Sequence, residues 1–144
     1  RAETFVFATR LTRLTRALRT PSGDPERVLR DAVSTVDDWS GGTRIGDAIA
    51  EFNDGWGRRG LARGAVVVIV SDGWESGDPA ALGEQMARLA RLAHRIVWVN
   101  PRAKSEHYQP LAGGMAAALP HVDVLASGHN LRALDDVLTA IAAG

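Results

Sequence analysis

The stretch Ala65-Val66-Val67-Val68-Ile69-Val70-Ser71-Asp72-Gly73 is a run of β-branched residues that stops at a hydroxyl, a carboxylate and a glycine. A parallel strand covered by helices on both faces needs apolar side chains on both, so the run predicts a central strand over 65–71. Asp78-Pro79 follows, an N-cap residue paired with a proline suited to the first helical position, and predicts a helix to about Ala93. Arg95 to Asn100 is a second continuous apolar strand, ended by Asn100-Pro101.

Downstream of this strand-helix-strand unit, Gly113 to Leu119 is a short Ala-rich helix and Val122 to Ala126 a last strand. Asn130 then caps a terminal helix through about Ala142. Upstream, Glu3 to Ala8 has the pattern of a buried strand. Arg10 to Arg16 alternates as a short second strand would, making a hairpin with the first. The period of three in Leu11-Thr12-Arg13 and Leu14-Thr15-Arg16 keeps a helical turn open there.

Pro21-Ser22-Gly23-Asp24-Pro25 is a turn cluster, with Asp24 the N-cap of a helix to about Val36. Thr43 to about Trp56 forms the next helix, with Ile45, Ala48, Ile49 and Phe52 on one face. Strands alternating with helices in this order predict an α/β fold: a doubly wound, mostly parallel sheet with helices on both faces, as one domain over 1–144. Such sheets bind ligands at the carboxyl ends of their strands. Asp72, Asn100, the Ser127 to Asn130 segment and the Ser40 to Thr43 loop fall on that edge.

Composition narrows the function. With 144 residues, 45% of them hydrophobic, the chain can bury one real core. Seventeen basic and seventeen acidic residues leave a formal net charge of zero, so no global field attracts nucleic acid or an anionic membrane. Cysteine is absent, which excludes disulfides, thiolate zinc sites and a cysteine nucleophile, and fits a reducing, cytoplasmic setting. No apolar run approaches the roughly 20 residues that span a bilayer. The chain starts at Arg1 and enters a strand almost at once, so a fragment or processed product is expected.

Trp39-Ser40-Gly41-Gly42-Thr43-Arg44 delivers a threonine at the mouth of a helix, and the Val66 to Val70 strand delivers Asp72. Alone, Thr43 could be a helix N-cap and Asp72 a turn residue before Gly73. As a pair they suit a hard cation such as Mg²⁺, which takes oxygen ligands and keeps several waters. A carboxylate ending a buried central strand would also need a positive or donor partner. Ser40, Gly41 and Gly42 add a small-residue approach for an ion or a partner's acidic group. Trp74, next to Asp72-Gly73, is either a partner-facing anchor or packing over the site. The four histidines have no ligand spacing, with His129 the one on the ligand edge. The glycines of 41–46 lack the lysine and the preceding strand of a phosphate-binding loop.

The stretches Asp38 to Ala48, Ser71-Asp72-Gly73-Trp74 and Ala93 to Pro101, with Phe5 to Thr9 and Pro110 to Met115, resemble the von Willebrand factor A domain of the CoxE-like family. The resemblance implies a metal-ion-dependent adhesion site. Such a site is assembled from Asp-x-Ser-x-Ser on a first strand, a threonine matched by Thr43, and an aspartate matched by Asp72 that commonly acts through water. Asp-x-Ser-x-Ser does not occur in the 144 residues, and the family places it upstream. Without it the expectation is weak Mg²⁺ binding or none, and between the Phe5 strand and the Val66 strand a gap, an altered register or an unpaired edge that invites association. The resemblance further implies a non-catalytic module whose partners are a MoxR-type AAA+ ATPase and a client metalloenzyme such as carbon monoxide dehydrogenase. Two alternatives remain at this point. One is a Mg²⁺-dependent hydrolase or phosphotransferase using Asp72, with Ser71, Glu75 and Asp78 nearby. The other is a metal-free interaction scaffold.

Overall fold

A computed structural model describes residues 2–19, 24–34, 36, 42–102 and 113–143, apart from the side chains of Leu131 and Leu134. The elements run β1 (Phe5–Phe7), β2 (Leu11–Arg13), α1 (Thr15–Leu18), α2 (Pro25–Val33) and α3 (Ile45–Phe52). A π-helical segment, Asn53–Leu61, leads to β3 (Val66–Val70), α4 (Pro79–Ala90) and β4 (Arg95–Asn100). Then come α5 (Gly113–Ala118), a 3₁₀ turn (Leu119–His121), β5 (Val124–Ser127) and α6 (Leu131–Ala142).

β3, β4 and β5 form a parallel sheet in that order, with Val66 opposite Arg95 and Val97 opposite Val124. Parallel neighbours need long crossovers, and α4 and α5 supply them. Central β4 is the most deeply buried strand, with Trp98 inaccessible to solvent. Its odd and even residues serve two separate cores. Ile96 and Trp98 pack with Ile69, Leu82, Met86 and Met115 on the α3/α4 side, while Val97 and Val99 pack with Val137 of α6 on the other. This is the helix-covered α/β sheet that the apolar strands predict.

The first two strands depart from a single continuous sheet. β1 and β2 pair antiparallel as a separate two-stranded unit, and β3 pairs only with β4 among the described residues. Of the outcomes expected without a first strand, the one seen among the described residues is an unpaired edge, on β3. β3 corrects the central-strand expectation, because it is an edge of its sheet with Val68 38% and Val70 59% exposed. β1 is only half-buried, though Phe5 packs edge-on against Phe52 and Trp56 with centroids 5.3 and 5.1 Å apart. The hairpin and the helical turn both exist in the 5–18 stretch, since β2 ends at Arg13 and α1 begins at Thr15.

Most caps fall where the sequence puts them. Asp24 accepts from the amides of Glu26 and Arg27, Asp78 from that of Ala80, and Asn130 from that of Ala133. Thr43 is the exception. Arg44 is the N-cap residue of α3 and makes no side-chain capping bond. The Pro21 to Gly23 turn and the Pro110 to Ala112 stretch lie outside the described residues.

Candidate functional site

The carboxyl edge of β3 is shaped by two successive short turns. Ser71 Oγ accepts the amide of Gly73 at 3.1 Å, and Asp72 Oδ1 accepts the amide of Trp74 at 3.0 Å. Both are local side-chain turns of the kind Ser and Asp favour. The indole Nε1–H of Trp98 donates to Ser71 O at 2.8 Å, so the start of the loop is tied to the largest fully buried side chain of the core. Gly73 has φ of 78°, and a Cβ there would come within 2.1 Å of Met115 Cγ. Only glycine fits that crossing over α5.

The Thr43 loop meets this one directly. Ser76 N–H donates to Thr43 O at 3.0 Å, and Gly42, with φ of 78°, lies so close that a Cβ would sit 2.8 Å from Ser76 Oγ. On its other side, Arg44 N–H donates to Ala8 O at 3.2 Å, holding the loop against the end of β1. Thr43 is half-buried, and among the described residues its hydroxyl has no hydrogen-bond partner. The capping explanation for Thr43 thus has no hydrogen bond behind it. Ser40 and Gly41, and Trp39 before them, lie outside the described residues.

Asp72 is less buried than a central-strand position would make it, with 35% of its side chain exposed. Its Oδ2 faces Arg102 Nη1 at 3.4 Å, on a guanidinium that is 79% exposed. The carboxylate therefore meets a backbone donor and a cation without any ion, and so avoids the desolvation cost expected of it. Trp74 is 71% exposed, which rules out packing over the site. Asn100, read from the sequence as a contact residue on this edge, is fully buried. Its Oδ1 accepts the Arg102 amide at 2.9 Å and its backbone oxygen accepts the Gly128 amide. It shapes the turn that carries Arg102 and presents no surface of its own.

Glu75 carried no weight in the sequence beyond its proximity to Asp72, yet it is the most connected carboxylate here. Its Oε2 accepts the Gly46 amide at 2.6 Å and its Oε1 the Gly77 amide at 2.8 Å. The anion position at the start of α3 is thereby filled from within the chain, which leaves no place there for a phosphate.

Farther along the edge, Asn130 spends its Oδ1 as the α6 cap, so its Nδ2 faces His129 Nε2 at 2.8 Å. That nitrogen must accept, which leaves the ring proton on Nδ1, beside Ser127 Oγ. A histidine donating to a serine cannot also take its proton, so this trio is not an activated nucleophile.

The donor set can be weighed against a divalent cation. A hydroxyl and a carboxylate on adjoining loops are right in kind for Mg²⁺ and too few in number. Among the described residues no group of three or more His, Cys, Asp or Glu side chains could hold a metal.

A helix-covered parallel sheet whose carboxyl edge joins a threonine loop to an aspartate loop defines an α/β module of the von Willebrand factor A type. The chain belongs to the family of VWA domain containing CoxE-like proteins, whose model matches residues 1–134. No curated protein and no solved structure matches it. Membership in this family supports a protein-interaction module. Among the described residues no helix is long and apolar enough to cross a membrane.

Proposed function

We propose that this chain is a metal-dependent protein-interaction module in which Thr43 and Asp72 supply two oxygen donors to a Mg²⁺. The observation that carries the reading is the Ser76-to-Thr43 hydrogen bond. It joins the loop of Thr43, whose hydroxyl has no partner among the described residues, to the Asp72 loop at the strand edge, beside an exposed tryptophan. The remaining donors would come from an Asp-x-Ser-x-Ser segment, which the family pattern places upstream. Thr43 and Asp72 would hold part of the ion's shell, and its charge would favour a glutamate or aspartate of a partner as the group recognised. Trp74 gives that contact an apolar anchor, with Gly42 a small-residue approach on the adjoining loop. Asn100 contributes by holding the Arg102 turn.

The partner class follows from the family resemblance: a MoxR-type AAA+ ATPase and a client metalloenzyme, carbon monoxide dehydrogenase being the precedent, in the cytoplasm. An enzymatic reading is disfavoured by the employment of each nearby candidate. Ser71 and Glu75 are tied to loop amides and Asp78 to the start of α4. Calorimetric titration of the full-length protein with Mg²⁺ or Mn²⁺ tests the proposal. Binding lost in both Thr43→Ala and Asp72→Ala is expected. No binding by the unsubstituted protein would leave a metal-free scaffold, binding unchanged in both variants would put the ion elsewhere, and hydrolysis of a phosphate ester lost in Asp72→Ala would revive the enzyme.

A further inference from the structure

Two loops that are to share one ion must be held at a fixed separation, and backbone pairing between them is sparse. One hydrogen bond, Ser76 N–H to Thr43 O, joins them through main-chain atoms among the described residues. The rest of the connection runs through the Glu75 carboxylate. Oε2 takes the Gly46 amide, in the first turn of α3 immediately after Thr43 and Arg44, and Oε1 takes the Gly77 amide of Glu75's own loop. Both oxygens are thus used, one on each side of the junction. The negative charge also sits against the unpaired amides and positive dipole end of α3.

The position is held from a third side. A Cβ at Gly114 of α5 would fall 2.4 Å from Gly73 O and 2.9 Å from Glu75 Cβ, so α5 lies directly against the stem of the glutamate. At Gly46 a Cβ would fall 3.1 Å from the Leu82 amide nitrogen of α4 and 3.4 Å from Glu75 Oε2. The carboxylate has little room to move. From these contacts we infer that Glu75 is a positioning residue, a strut that sets Thr43 against Asp72 without touching the ion or the partner. The functional half of this inference rests on the metal-site reading above.

Full-length Glu75→Ala, Glu75→Gln and Gly114→Ala, with Thr43→Ala as the control, separate the possibilities. The first readout is amide hydrogen exchange, resolved at Gly46 and Gly77 by NMR, and the second is Mn²⁺ affinity. Amide bonds to a charged acceptor are among the stronger ones, so Glu75→Ala should speed exchange at both amides by at least about tenfold. Exchange in β4 should stay as it was. Glu75→Gln keeps one acceptor oxygen, so one of the two amides should remain protected. Gly114→Ala leaves the carboxylate intact but displaces its stem, and should weaken Mn²⁺ binding in step with Glu75→Ala.

Unchanged exchange at Gly46 and Gly77 in Glu75→Ala would overturn the strut. So would faster exchange with Mn²⁺ affinity unaltered, provided Thr43→Ala abolishes binding. Mn²⁺ binding that survives Thr43→Ala and Asp72→Ala overturns the metal reading itself, a result in which Glu75 is intact and its own exchange readout still decides the clamp.

Discussion

At the scale of single residues, a hydroxyl before a helix and a carboxylate after an all-apolar strand drew Thr43 and Asp72 into one reading, and the structure sets their loops side by side. Glu75 was not legible as a clamp, because its partner Gly46 lies 29 residues away and nothing local marks the pair. Asn100 misleads for the opposite reason. Its place on the edge is right, but the turn it caps consumes its oxygen and burial removes its surface. The hydroxyl of Thr43 allows stability and function to be separated. Having no hydrogen-bond partner among the described residues, it contributes little to folding, so Thr43→Val should change unfolding free energy by no more than about 0.5 kcal/mol while abolishing Mg²⁺ binding. Chemical denaturation beside calorimetry checks both parts. Gly73→Ala should behave otherwise. Left-handed backbone and overlap with buried Met115 together should cost about 2–4 kcal/mol, read as a lowered denaturation midpoint with an unchanged slope.

At the scale of elements, the helices with strong caps were placed to within a few residues, whereas the helix read from Thr43, which lacks a side-chain cap, was not. The sequence predicts a single helix from Thr43 to about Trp56, where the chain makes α3 and then the π-helical segment Asn53–Leu61, interrupted at Gly60 with φ of 110°. Gly55, Gly57 and Gly60 weaken the helical rhythm without saying what replaces it. Long-range contacts do: buried Asn53 donates from Nδ2 to Gln85 O at 3.1 Å, and Asp54 receives Arg88 Nη2 at 2.7 Å, both from α4. The hydrogen bond from Arg88 holds the Asp54 carboxyl below the usual carboxylate range, with the charges of Arg88 and Arg58 assisting and partial desolvation opposing. A depressed carboxylate stabilises the fold above its unfolded value of 3.8 and ceases to do so as pH falls through the folded one. Asp54→Asn should therefore show a small deficit in stability across neutral pH that closes with acidification. Because the pair is exposed, added salt should shrink the deficit as well. A deficit that persists in acid would assign the effect to packing of the π-helical segment and not to the charge.

At the scale of the whole molecule, the fold class was legible from apolar runs and their spacing, while the membership of each strand in a sheet was not. A run of five β-branched residues cannot distinguish a central strand from an edge whose neighbour is elsewhere. Here β3 has β4 on one side and, among the described residues, no strand on the other, with Val68 and Val70 exposed on the face opposite Ile69. Free strand edges with apolar side chains pair with whatever strand they meet, and in a solution of this chain that is another copy. The 144-residue polypeptide should consequently sediment as a concentration-dependent mixture. Val70 is already mostly in water, so Val70→Lys should cost no more than about 0.5 kcal/mol in denaturant while shifting the sedimentation profile to monomer, since an edge lysine resists pairing. Where the protein extends upstream of Arg1, the same substitution in that longer form reads the state of the edge there. A loss of about 2 kcal/mol or more would mean that Val70 is covered, as it would be by the Asp-x-Ser-x-Ser strand of the family pattern and the helix following it. A change as small as in the shorter chain would leave β3 open in both. The proposed ion would then have to find its remaining donors somewhere other than beside this strand.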